Sequence, residues 1–232
     1  MIVAVAGGKG GVGKSTVSLN LAHELDAVVV DADLTGADLP PGTGPDLHDV
    51  LAGRANPVDA VETSGSVPVL PCGRTLSGAR ASEIAALERV LERVERGWGR
   101  VVVDCPSGLA RDVGFELRAA DLAVLVTSPD KAALVDALRT HDLAVTLETP
   151  VAAVVLNMAD REGHGSLAGR LGRTLGVDVT LVERQDAVAD AQARWVPVHD
   201  HDADAQALEA YHSVAERVGQ AQTRCADRSD SV

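Results

Sequence analysis

Residues Gly7 to Thr16 read GGKGGVGKST, a glycine-rich turn carrying two lysines in a chain whose only other lysine is Lys131. Gly8 to Ser15 fit the pattern G-x-x-x-x-G-K-[ST], set between an apolar run, IVAVA from Ile2, and a helix-forming stretch, KSTVSLNLAHEL. Glycines at Gly8, Gly10, Gly11 and Gly13, with Val12 among them, let backbone N–H groups curl round phosphate oxygens, and the start of the next helix adds positive potential. On this pattern Lys14 reaches the β and γ phosphates of a nucleotide and the Ser15 hydroxyl ligates Mg²⁺, with Thr16 a further nucleotide-binding candidate. One such lysine suffices within a single pocket. Lys9, at the start of the turn, therefore needs a separate task.

Carboxylates stand at the ends of two further apolar runs. VVVDADLTGADL supplies Asp31 and Asp33, and VVVDCPSGL supplies Asp104. At the end of a buried strand an aspartate can hold Mg²⁺ or its water shell, or orient an attacking water; in a loop it can equally be a turn former. VVLNMADREG places Asn157 at the end of another run, where its amide offers both a donor and an acceptor.

The signature K-G-G-x-G-K-[ST], standing as Lys9 to Ser15, resembles that of the deviant Walker A ATPases, the MinD/ParA group. The resemblance implies that Lys9 acts in trans, reaching the nucleotide of a second copy, so that ATP joins a homodimer. It implies Lys9, Lys14 and Asp33 as catalytic residues, with Asp33 positioning the attacking water. Ser15, Asp31, Asp33 and Asp104 become the Mg²⁺ set, Asp104 to Gly108 a D-x-P-x-G switch, and Asn157 the reader of the adenine edge. ATP hydrolysis that is slow without a partner and an unidentified protein partner or activator are implied too; a cytoplasmic location is expected on a separate ground, since the three cysteines, odd in number and far apart, suit a reducing compartment. The stretch LVTSPDKAALVDALRT matches the family's strand, loop and helix after that switch but is given no chemistry. Two departures stand out: Asp38 where some relatives have Asn, and LVERQDAV in place of an I-P-x-D stretch.

Positioning these groups requires buried strands. Apolar runs begin at Ile2, Ala27, Val67, Arg100, Leu122, Val151 and Val177. Continuous rather than alternating, they suit strands covered on both faces. Helical stretches lie between them, the clearest being SEIAALERVLERVERG, with Ile84, Leu87, Leu91 and Val94 on one face, Ser82 as N-cap and Gly97 as stop. The expectation is an α/β domain with a mainly parallel twisted sheet and helices on both faces; the resemblance to the MinD/ParA group implies that it is a P-loop NTPase fold of the SIMIBI type. It should span residues 1–220, with a polar, frayed tail over 221–232. The Gly- and Pro-rich stretch after Asp33 reads as a loop with a short helix from Asp46 to Ala52.

Composition narrows the function. The 232 residues carry a formal net charge of −13, built from carboxylates set against arginine, a surface resembling that of proteins from salt-loving organisms. Duplex DNA is disfavoured as a partner, because phosphate contacts need clustered Lys or Arg, although a local arginine patch could sit within the acidic whole. Phe115, Trp98, Trp195 and Tyr211 are too few to stack bases. The C-terminal residues lack the cations and bulky apolar groups of a membrane-surface helix, so no autonomous membrane anchor is expected. The N-terminal run reads as a first strand rather than a signal peptide. Cys72, Cys105 and Cys225 include no C-x-x-C pair, which counts against an iron–sulfur carrier. An ATP-dependent dimerisation switch that positions cellular machinery for division, cell shape or motility is the leading reading. A ParA-like partitioning ATPase and, behind it, the iron–sulfur carrier are the alternatives.

Overall fold

The computed structural model describes residues 1–34, 36, 39–108 and 111–229. Seven strands form one parallel sheet: β1 Ile2–Ala6, β2 Val28–Asp31, β3 Val69–Leu70, β4 Val101–Asp104, β5 Leu122–Thr127, β6 Val151–Ala159 and β7 Val179–Glu183, in the order β3-β2-β4-β1-β5-β6-β7. Each begins within one of the apolar runs, although the run at Val67 yields only two residues of strand. Along β1 the side chains alternate between two cores. Val3 and Val5 join one that includes Val17 and Leu21 of helix α1 (Lys14–Leu25) and Tyr211, Val214 and Val218 of helix α10 (Ala207–Ser229). Ile2, Ala4 and Ala6 face the other, with Leu91 and Val94 of helix α4 (Leu87–Trp98) and Leu117 of helix α5 (Arg111–Ala119). Each fully buried Val or Leu contributes about 1.5–3 kcal/mol, so a sheet covered on both faces is the stable solution for these runs.

The other helices are α2 Leu47–Leu51, α3 Leu76–Ala81, α6 Lys131–Thr146, α7 Arg161–Leu175, α8 Asp186–Arg194 and α9 Val198–His201. The short helix expected at Asp46 is α2, whose N-terminus is capped by the Asp46 carboxylate accepting from Asp49 N–H at 3.0 Å.

Three local expectations are corrected. Ser82 does not cap α4: its hydroxyl donates to Gly78 C=O at 3.0 Å and closes α3, and a 3₁₀ turn at Ile84–Ala86 leads into α4. Gly97 does not stop that helix either. It packs against Val58 inside the last turn, and the chain leaves the helix at Gly99, whose φ of 87° breaks the helical path. The frayed tail gives way to helix as far as Ser229, because Ala221 is buried and Cys225 packs on the core that holds Val214 and Val218, continuing one apolar stripe. Asp38 lies outside the described residues.

The chain leaves β1 toward β2 on one side and later fills β5 on the other. The order of the sheet reverses beside β1, and the crevice at the carboxyl ends of β1 and β4 is where such a sheet binds ligands.

Candidate functional site

The glycine turn occupies that crevice. Gly13, at φ 92°, ends it in a left-handed conformation and starts α1 with no side-chain cap, which leaves the first N–H groups of the helix to an external acceptor. The turn is fitted tightly from behind: a Cβ at Gly8 would fall 2.1 Å from Asp136 Cβ of α6, and one at Gly13 would fall 2.2 Å from Asn157 Nδ2. Lys14 and Ser15 are buried at the start of α1, while Lys9, Gly10 and Gly11 form the exposed limb. The Thr16 hydroxyl is buried without a hydrogen-bond partner. An orphan hydroxyl beside uncapped N–H groups and a buried lysine fits the phosphates of a nucleotide.

Asp31 and Asp104 end adjacent strands in the same register row. Both are buried, and Asp104 accepts a hydrogen bond from the Ser18 hydroxyl of α1 at 2.9 Å. Burial, reinforced by the neighbouring Asp104 charge, pushes the Asp31 pKa up to about 7, against the opposing pull of the Leu39 and Asp33 N–H groups. Two carboxylates held together out of water, Asp104 against the face of α1 that carries Ser15 and Ser18, are a donor set suited to a divalent cation, which would reverse this strain. Ser18 was missed in the sequence. Its spacing from Ser15 places both hydroxyls on one helix face, and that signal was available.

Asp33 folds onto its own loop, accepting from Gly36 N–H at 2.7 Å, while its own N–H donates to Asp31 at 3.3 Å. Here it serves as a turn former that ties the loop to Asp31.

Asn157 is 4 % exposed and lies behind the glycine turn, its Nδ2 donating to Val12 C=O at 2.9 Å. A register irregularity between Asn157 and Ala159, with Met158 at φ 54°, re-aims the end of β6 toward the turn. The sequence reading assigned this amide to the base. The structure shows it bracing the turn, with Oδ1 left as its acceptor.

Lys9 pairs with Asp130, Nζ to Oδ1 at 3.0 Å, and its side chain is 46 % exposed. Asp130 also accepts from Ala132 and Ala133 N–H and thereby caps α6. Hydrogen bonding to Lys9 and to these N–H groups holds the Asp130 carboxyl below the usual range. The segment given no chemistry in the sequence thus supplies the partner of Lys9 through Asp130 and the backing of Gly8 through Asp136.

Cys105 to Gly108 follow β4, with Ser107 against Gly10 and Gly108, at φ 89°, facing the Gly8 carbonyl. Beneath them the Glu116 carboxyl is fully buried and has Cys105 beside it; burial pushes its pKa well above the usual carboxylate range. Cys105 and Cys72 are buried too, and burial raises both thiols. No group of three His, Cys, Asp or Glu side chains among the described residues is arranged as a metal cluster. No described helix is long and apolar enough to cross a membrane.

A parallel sheet with a glycine turn, a buried lysine and a pair of buried aspartates at its switch point defines a P-loop NTPase. Residues 1–166 match the family model described as ParA, NUBPL iron-transfer P-loop NTPase, and the chain belongs to that family. It is 32% identical over 232 residues to the ATP-binding protein MJ0169 of Methanocaldococcus jannaschii, covering 93% of this chain and 86% of that one. It is also 32% identical over 176 residues to an iron–sulfur cluster carrier protein of Methanococcus maripaludis, covering 67% of this chain and 59% of the relative. Among solved structures, the cell division ATPase MinD of Pyrococcus furiosus superposes with a TM-score of 0.86 at 26% identity, covering 94% of this chain and 98% of that one.

Proposed function

We propose that this protein is an ATP-operated dimerisation switch of the MinD kind, in which Lys9 serves the nucleotide of a second copy. One observation carries the reading. Lys14 is buried in its own glycine turn while Lys9 is kept out of it, at the surface, by Asp130. A cation stored on an exposed carboxylate can exchange that partner for a triphosphate brought by a twin at little cost, because an exposed ion pair is weakly held.

In this reading Lys14 and the N–H groups of the turn hold the β and γ phosphates of ATP. The Ser15 hydroxyl, Asp31 and Asp104 hold Mg²⁺, which neutralises charge on the phosphates. Asp33 leaves Gly36 to orient the attacking water, and it is the member of the sequence-derived metal set with the loosest claim on the ion. Asn157 keeps one N–H on Val12 C=O and presents Oδ1 to the amino group of adenine. A protein partner sets the rate, and the process served is cell division, cell shape or motility.

The test is light scattering in Mg-ATP. The Asp33→Ala form, which should bind without hydrolysing, is expected to dimerise, and the same form carrying Lys9→Ala is expected to stay monomeric. A persistent monomer in the first case refutes the switch.

An iron–sulfur carrier is the second reading, favoured by the description of the family model and by the name of the M. maripaludis relative. Clusters are ligated by thiolates, whereas Cys72 and Cys105 are buried thiols with raised pKa values. The carrier reading therefore rests on Cys225 of two copies, and anaerobic reconstitution of a Cys225→Ser form separates it from the switch.

A further inference from the structure

Away from the nucleotide crevice, α2, α3 and α4 surround a cleft of 660 Å³ floored by Leu51 and Val90. Three arginines line it: Arg80 at the end of α3, and Arg89 and Arg93 one turn apart on α4. Arg93 donates to the Asn56 side-chain oxygen at 3.1 Å. Arg80 and Arg89 make neither a hydrogen bond nor an ion pair among the described residues. Arg54, Arg96, Arg139, Arg161 and Arg217 meet carboxylates, whereas Arg118, Arg170, Arg173, Arg184 and Arg224 share with Arg80 and Arg89 the lack of either side-chain contact among the described residues; what marks this cleft is that three arginines line it in a molecule of net charge −13. Among the described residues, Glu83 is the one carboxylate lining the cleft.

We propose that this cleft binds a small phosphorylated molecule. Three exposed arginines along one cleft with Leu51 and Val90 in its lining give it a locally positive potential, which an anion seated among them would satisfy. A phosphoryl group presents more acceptor oxygens than a carboxylate and can engage several forks together. The volume lies within the ordinary range for small-ligand sites, roughly 300–1,000 Å³. A continuous polyanion fits less well. Glu88 and Glu92 stand exposed on α4 beside the arginines and would face its charges, whereas a compact anion within the cleft meets three arginines against the single carboxylate of Glu83.

The experiment is calorimetric titration of inorganic pyrophosphate into the full chain saturated with ADP, so that the glycine turn is already filled. One site is expected, weakened by added salt. Arg80→Gln with Arg89→Gln should weaken it by roughly ten-fold or more, the loss expected when charge-assisted hydrogen bonds are removed, while ADP affinity stays unchanged and reports an intact fold. Glu83→Gln should tighten it. Absence of a pyrophosphate site overturns the proposal, and so does undiminished affinity in the double variant. Arginine-dependent binding of duplex DNA or anionic vesicles without pyrophosphate binding overturns it in favour of a docking surface.

Discussion

Replacing Asn157 by alanine separates bracing of the glycine turn from reading of the base. The side chain is 4 % exposed, and its Nδ2 meets Val12 C=O at 2.9 Å. Truncation strands that carbonyl in a place where Val12 itself is only 2 % exposed. A buried acceptor left without its partner costs about 1–3 kcal/mol. Taking about 2 kcal/mol, Tm of a chain of this size falls by roughly 4–8 °C in the absence of nucleotide. The decisive assay pairs scanning calorimetry with binding of ATP, GTP and inorganic tripolyphosphate. If the amide braces the turn, tripolyphosphate affinity falls along with that of ATP, since the loosened groups hold phosphate. If Oδ1 also reads adenine, ATP loses more than GTP does. Asn157→Asp sharpens the contrast, because it keeps an acceptor for the base yet sets a carboxylate oxygen against Val12 C=O. Unchanged Tm and unchanged tripolyphosphate affinity in Asn157→Ala would refute the bracing role.

Gly13→Ala meets two obstacles, a φ of 92° and a Cβ 2.2 Å from Asn157 Nδ2; nucleotide binding measured by calorimetry should be lost, and retention at the native affinity would mean that the turn adapts cheaply. The pKa of Asp31 rises from 3.8 to about 7, so between those values the native state holds a proton that the unfolded state has released, and the unfolding free energy of metal-free protein falls as pH rises. Urea unfolding should record this as a loss of at most about 4 kcal/mol from Asp31, complete above pH 7, shrinking when Mg²⁺ and nucleotide are present and absent in Asp31→Asn. Asp130→Asn frees Lys9 while keeping an oxygen to cap α6, and in the Asp33→Ala background it should lower the ATP concentration needed for dimerisation; an unaltered ATP dependence by light scattering argues against storage of Lys9 on Asp130.

Much of this protein was written into its order of residues. Apolar runs too continuous to face water on one side required a sheet covered on both faces, and the glycine pattern between the first run and a helix located the phosphate site. Asp31 and Asp104 were marked by standing where such runs end. Local chemistry decides these features, because backbone reach, side-chain period and strand burial act within a few residues.

Tertiary structure decided what depends on residues far apart in the chain. Lys9 and Asp130 meet across 121 positions, and Asn157 meets Val12 across 145. No local pattern marked Asp130 as more than a helix cap, or Asn157 as a brace. The helix end at Gly99 and the continuation of α10 to Ser229 were likewise set by packing, through Val58 against Gly97 and the core beneath Ala221. The arginine cleft shows the same division. The sign of each charge is local information, but only the folding together of α3 and α4 put Arg80 and Arg89 on the lining of one cleft, because Coulomb energy depends on separation in space and not along the chain.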